Sequence, residues 1–140
     1  MKLASIGPIP PAVILRFATQ EDREAMLTVM APFRNRHFPG GLDTRRVQIA
    51  EVDGKAVGFV GWKGDEVLAL YVANAWRGLR TVGPLLLAAA ERAIAAKGYP
   101  WVRVMIDADA EYAHRFYLRA DYETEPMDHD ADVAWMTKRL

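Results

Sequence analysis

The sequence predicts an α/β fold, and three observations predict it. Two segments repeat apolar residues at helical spacing, and three consecutive segments read as short strands joined by tight turns. The third of those strands feeds a glycine-containing loop that opens a helix.

Taken in order, residues 1–12, with Pro8, Pro10 and Pro11, form an irregular lead-in, and residues 13–18 read as a strand. Thr19 and Asp22 have the spacing of a capping box, with Asp in place of the longer Glu. Ala25, Met26, Val29, Met30 and Phe33 recur at helical spacing, so the first helix runs to about Phe33. Residues 34–44 contain Pro39-Gly40-Gly41 and form a loop, or a short helix plus loop. A meander follows: residues 46–52 turn at Asp53-Gly54 into residues 55–62, which turn at Lys63-Gly64-Asp65 into residues 66–72. Asp-Gly suits a two-residue hairpin because both positions must tolerate positive φ. In the helix after the loop, Val82, Leu85, Leu86, Ala89 and Ala93 share a face, Pro84 fits the first turn and Gly98 the stop. Residues 101–106 form a nearly continuous apolar strand, which fits a sheet centre. Residues 110–120 are the last helix, and residues 122–127 with 133–138 a closing hairpin. There are no repeats and no second-domain boundary, so residues 1–140 read as one domain.

Composition narrows the function. Lys+Arg and Asp+Glu both number 18, and this balance lacks the basic excess of a dedicated nucleic-acid binder. No run approaches the ~18 apolar residues of a membrane span, and the Pro-broken start is no signal sequence, so the expected location is cytoplasmic. With 0 cysteines, disulfides, thiolate metal sites and a Cys nucleophile are all excluded. Asp128, Asp130 and Asp132 alternate as in the first half of a calcium loop. They lack its turn glycine and distal Glu, so a solvated hairpin tip without metal is expected.

The run from Glu66 to Gly98 carries the main functional signal. A strand ends in Leu70-Tyr71-Val72, a loop holds Arg77, Gly78, Leu79, Arg80, Thr81, Val82 and Gly83, and a helix follows. A helix N-terminus offers unpaired N–H groups and partial positive charge, which suit a pyrophosphate, and two arginines stand beside it. Together with Ala113, Phe116 and Tyr117 on the last helix, and Arg16-Phe17-Ala18-Thr19 near the start, this pattern resembles the GNAT superfamily of acyl-CoA-dependent N-acetyltransferases. The resemblance spans residues 13–122 and implies a mixed, mostly antiparallel, twisted sheet with helices on both faces, its fourth and fifth strands splayed. Departures are visible. The usual Arg-Gly-x-Gly-x-Gly is here one residue longer and lacks its middle glycine, an absence that Arg80 would offset. Ala110, beside Asp109, replaces the helix-start Asn, and Asp121-Tyr122 replaces Gly-Phe.

The resemblance implies transfer of an acetyl group from acetyl-CoA to a primary amine by direct attack. A lysine-like amine of pKa ~10.4 lies roughly 4.6 kcal/mol from its neutral form at pH 7, so its proton needs an acceptor. Glu66, eleven residues before Arg77, is the candidate base; a water chain, or a merely exposed strand-start Glu, are the other readings. Tyr117 is the candidate acid for the departing thiolate, or else a packing aromatic beside Phe116. Leu70, Tyr71 and Val72 would hydrogen-bond the pantetheine arm through their backbone. Residues 77–83 would cradle the phosphates, with Asp109 near the cofactor. His114 reads as a surface or packing residue, Trp62 and Trp76 as core or cleft wall, and Arg34-Asn35-Arg36-His37 as an acceptor-side or plainly soluble loop. The acceptor is a small-molecule or peptide amine, and a homodimer is compatible with the family. The alternative is a non-catalytic acyl-CoA sensor or interaction module on the same fold.

Overall fold

The computed structural model of the chain describes residues 12–33, 43–78 and 80–140. The strands are β1 (Ile14–Phe17), β2 (Val47–Val52), β3 (Lys55–Lys63), β4 (Glu66–Val72), β5 (Trp101–Asp107), β6 (Glu123–Thr124) and β7 (Val133–Arg139). The helices are α1 (Arg23–Met30), α2 (Val82–Ala96) and α3 (Glu111–Arg119). All seven strands join one sheet in the order β1-β2-β3-β4-β5-β7-β6. Only β4 and β5 run parallel, because α2 carries the chain across between them. The expected mixed, mostly antiparallel sheet with helices on both faces is therefore present.

Two apolar layers hold it together. Met26, Val29 and Met30 of α1 pack on Val47, Ile49, Phe59 and Ala69. On the opposite face, Val82, Leu86, Ala90 and Ile94 of α2 pack on Val60, Val102, Val104 and Met136, where Tyr117 of α3 joins them. Asp53 and Gly54 both take positive φ, 52° and 76°, as the Asp-Gly hairpin requires.

Three boundaries differ from the sequence reading. α1 stops at Met30 rather than near Phe33, since Pro32 has no N–H to continue the ladder. Leu85 lies exposed, and Leu87, Ala90 and Ile94 take its place on the buried face of α2. The run of Leu and Ala there is apolar all round, so periodicity alone did not fix its rotation. β6 is only two residues long, because Pro126 ends the pairing just after the Glu125 N–H reaches the Trp135 carbonyl. Residues 1–11 and 34–42, read as lead-in and loop, lie outside the described residues.

The feature that shapes the site is a β-bulge in β4. Ala69 faces Gly61 and Val67 faces Trp62, so Leu68 is an extra residue. The bulge reverses the side-chain alternation, sending Val67 to the α2 side and Ala69 to the α1 side. Pairing with β5 stops at the same place, because only Glu66↔Arg103 and Val67↔Val104 are in register. From Leu68 onward β4 and β5 diverge, as the splayed arrangement requires.

The entry to α1 is tied down electrostatically. Arg16 on β1 makes a forked pair with Asp22 at 2.7 and 2.8 Å and also bonds Glu51 on β2. The Asp22 carboxylate accepts the Thr19 N–H at 2.7 Å, completing the cap. The Arg16 guanidinium holds the Asp22 carboxyl down to about 2. A depressed acid stabilises the fold above its unfolded value of ~3.9 and loses that contribution as pH falls through its folded value. Asp22→Ala is expected to cost about 1–2 kcal/mol at pH 7, a melting shift of roughly 3–8 °C. The gap between variant and wild type should narrow as pH drops from ~4 towards 2. Thermal unfolding across that window checks it, and a gap independent of pH would refute the ion-pair account.

Candidate active site

The divergence of β4 from β5 opens a cleft of about 970 Å³ through this part of the molecule. Leu68–Val72 forms one wall; Val104, Met105 and Ile106 of β5 form the other. Gly83 and Pro84 at the start of α2 close one end, with Arg77, Gly78 and Arg80, while Tyr112, Phe116 and Tyr117 of α3 line the side. Beyond the bulge, this stretch of β4 has no ladder partner in β5. The gap between the two strands there is where an extended ligand could lie alongside β4.

The loop before α2 keeps a special backbone without the usual residues. Gly78 has φ 78°, and Arg80, standing where the resemblance expects glycine, has φ 54°. A side chain in this left-handed region costs roughly 1–2 kcal/mol. The same happens after α3. Asp121, where glycine is usual, has φ 71°, and the N–H groups of Asp121 and Tyr122 return to the carbonyls of Leu118 and Tyr117. Gly83 has a packing reason instead. A Cβ there would sit 2.9 Å from Cε1 of Phe116, so glycine lets α3 approach the first turn of α2.

Arg77 is held between two rings. Its guanidinium carbon lies 4.6 Å from the centre of Phe33 and 4.7 Å from that of Tyr112. Phe33 in turn meets Tyr71 edge-on at 4.9 Å, and the Tyr112 hydroxyl accepts the Gly78 N–H at 3.1 Å.

Tyr117 is 5% exposed, its ring wedged edge-on between Phe116 at 5.0 Å and Tyr122 at 5.2 Å. Burial pushes its hydroxyl above the ordinary tyrosine range, and Tyr71 and Glu91 add to the effect. Tyr122 is anchored by donating to Glu91 at 2.8 Å, and Glu91 also pairs with Lys138 at 3.3 Å. Burial raises the Tyr122 hydroxyl too, with the Glu91 bond contributing.

Of the residues singled out in the sequence, Leu70, Tyr71, Val72, Arg77, Gly78, Arg80, Gly83 and Tyr117 line this cleft. Glu66 does not. It pairs with Lys63 and Arg103 at the closed end of β4, before the bulge. Val82 is buried against the sheet, and Thr81 and Asp109 are exposed and off the cleft wall. Leu79 lies outside the described residues. Trp76 is a wall residue, whereas Trp62 belongs to the core. His114 bonds Thr124 at 2.8 Å, linking α3 to β6. Met105 and Tyr112 were not foreseen as cleft residues, and Phe33 was read only as the apolar end of the first helix, where the next loop begins.

Comparison with known proteins agrees with this architecture. The profile of the Acetyltransferase (GNAT) domain family matches residues 43–124, more than half of the chain. Ard1 from Thermoplasma volcanium is similar in structure, with TM-score 0.79 at 18% identity over 92% of this chain and 98% of that one. The PaiA N-acetyltransferase from Thermoplasma acidophilum, solved with coenzyme A, superposes with TM-score 0.73 at 17% identity, covering 92% and 99%. Arabidopsis thaliana Naa50, solved with the bisubstrate analogue CoA-Ac-MVNAL, gives 0.73 at 13% identity, covering 91% and 99%. No curated protein matches the sequence. The profile match and the splayed sheet lead to one statement: this chain belongs to the GNAT acetyltransferase family.

Proposed function

We propose that the protein transfers an acetyl group from acetyl-CoA to a primary amine by direct attack, without an acyl-enzyme. The observation that carries this reading is the cleft opened where the β4–β5 ladder ends after Val67, lined by the arginine-flanked start of α2 and by Tyr117. Structural relatives solved with coenzyme A support acetyl-CoA as the co-substrate.

Each part of the cleft has a task. The stretch of β4 after Leu68, where β5 has splayed away, hydrogen-bonds the pantetheine arm as an added strand would. An N–H on that edge polarises the thioester carbonyl, a role typically worth about 2.7–4 kcal/mol in the transition state. Phosphates sit at the start of α2, where Gly83, Arg77 and Arg80 face the cleft. The acceptor first loses one proton to give the neutral amine. Its nitrogen then attacks the carbonyl carbon, the C–N bond forms as the C–S bond breaks, and the nitrogen's second proton ends on the sulfur. Tyr117 donates a hydrogen bond to that departing sulfur. Glu66 lies before the bulge, on the side away from Val67, so it takes the first amine proton only through intervening water.

Thermal unfolding with acetyl-CoA tests the cofactor, with ATP as anion control. Ligand at a hundred times its Kd is expected to add about 2.7 kcal/mol, or roughly 6–10 °C. A shift with acetyl-CoA and none with ATP, followed by thiol release against peptide and small amines, would support the reading. A shift without thiol release against any amine would favour the non-catalytic sensor, and no shift would sink both.

A further inference from the structure

Tyr112 belongs to no motif and adds nothing to the core, being 46% exposed. Yet it grips the loop before α2 at two points. Its hydroxyl takes the Gly78 N–H at 3.1 Å, and its ring lies against the Arg77 guanidinium, which also meets the Phe33 ring. An exposed aromatic placed this way organises the loop at the point where the cleft meets the phosphates of the donor.

The inference rests on the reading of the cleft as an acetyl-CoA site. We infer that Tyr112 is a positioning residue for the diphosphate of the donor. Its ring keeps Arg77 at the cleft mouth, and its hydroxyl occupies the Gly78 N–H until a phosphate oxygen displaces it. The geometry suits the exchange, because a neutral phenolic oxygen and an anionic phosphate oxygen accept from an N–H at similar distances. The charged acceptor binds about twice as strongly, and Arg77 stands one residue away to meet its charge. Tyr112 is half exposed, so the displaced hydroxyl turns to water and leaves no buried polar group unpaired. The ring contact to Arg77 survives the exchange, since it does not depend on the hydroxyl.

Calorimetric titration of wild type, Tyr112→Phe and Tyr112→Ala tests this, with CoA and with S-acetylpantetheine, which lacks the diphosphate. Tyr112→Phe removes the competitor and keeps the ring, so CoA should bind about 2–10-fold more tightly. Tyr112→Ala also releases Arg77 and should bind CoA at least about threefold more weakly than Tyr112→Phe. S-acetylpantetheine should bind all three alike. In turnover, the Tyr112→Phe change should fall on KM for acetyl-CoA rather than on kcat. A Tyr112→Phe protein that binds CoA no better than wild type overturns the inference and leaves the cofactor site standing. Equal shifts for both ligands also overturn it, since they would mark Tyr112 as plain packing. Wild type that binds neither ligand removes the cofactor reading and the inference with it.

Discussion

Gly58→Ala is expected to lower the melting temperature by about 3–10 °C and to weaken acetyl-CoA binding with it, the first by overpacking of about 1–3 kcal/mol. A Cβ at this position would sit 2.9 Å from the carbonyl oxygen of Tyr71, 3.0 Å from Cδ1 of Leu86 and 3.1 Å from Cγ1 of Val82. Leu86 can rotate away, but the Tyr71 carbonyl is backbone, and Val82 is the fully buried first residue of α2. Relief therefore moves β4 or the start of α2, which are two walls of the cleft. Gly54→Ala is the control. It carries φ 76° and has nothing within 4 Å of a new Cβ, so it costs roughly 1 kcal/mol of backbone strain without reaching the site. Differential scanning calorimetry and CoA titration on both variants decide the matter. A Gly58→Ala protein with wild-type melting would show that the α2–β3 contact is looser than its distances indicate. A stability loss with unchanged CoA affinity would show that β4 and α2 absorb the change away from the cleft.

That contact also marks what the sequence could and could not disclose. The meander was legible because Asp53-Gly54 demands positive φ and the flanking runs alternate, both local effects. The place of Arg77, Gly78 and Gly83 on the cleft wall was legible because a glycine- and arginine-containing loop that opens a helix has a composition of its own. The left-handed turns at Arg80 and Asp121 were not. Arg80 does not prefer that conformation, and at Asp121 it comes from the hydrogen bonds that close the end of α3 rather than from a glycine. Glu66 shows a different limit. Its eleven-residue spacing from Arg77 is visible in the chain, but the bulge at Leu68 follows from how β4 pairs with Gly61 and Trp62. That bulge sets which face each residue of β4 presents, and it places Glu66 at the paired end of the strand. Phe33, just past α1, and Tyr112, on α3, reach Arg77 from distant parts of the chain, and no single-chain period encodes such a meeting.

Tyr117→Phe is expected to lower turnover about 10–150-fold, the equivalent of one hydrogen bond to a charged acceptor at about 1.5–3 kcal/mol. The kind of help Tyr117 gives follows from its surroundings. Its ring is buried, and Tyr71, Tyr122 and Glu91 are the titratable groups about it, none of them cationic. Lys138 is taken up by Glu91. Burial therefore favours the neutral phenol and raises its pKa, so the hydroxyl stays protonated through the alkaline range in which an amine becomes nucleophilic. The same shift limits it. A thiolate of pKa ~8.5 is too weak a base to strip a phenol whose pKa is already above ~10. On the proposed mechanism Tyr117 would thus stabilise charge on the leaving sulfur by donation, and the proton that finally settles on the thiol would come from the attacking nitrogen by way of water. The pH–rate profiles of wild type and Tyr117→Phe should keep one shape between pH 6 and 10 and differ by a constant factor. CoA affinity should change by less than about twofold, because the hydroxyl has no role in ground-state binding. An alkaline limb near pH 8–9 in wild type that vanishes in the variant would mean that the phenol ionises during turnover. Equal turnover in the two proteins would return Tyr117 to the core, as the ring that packs between Phe116 and Tyr122.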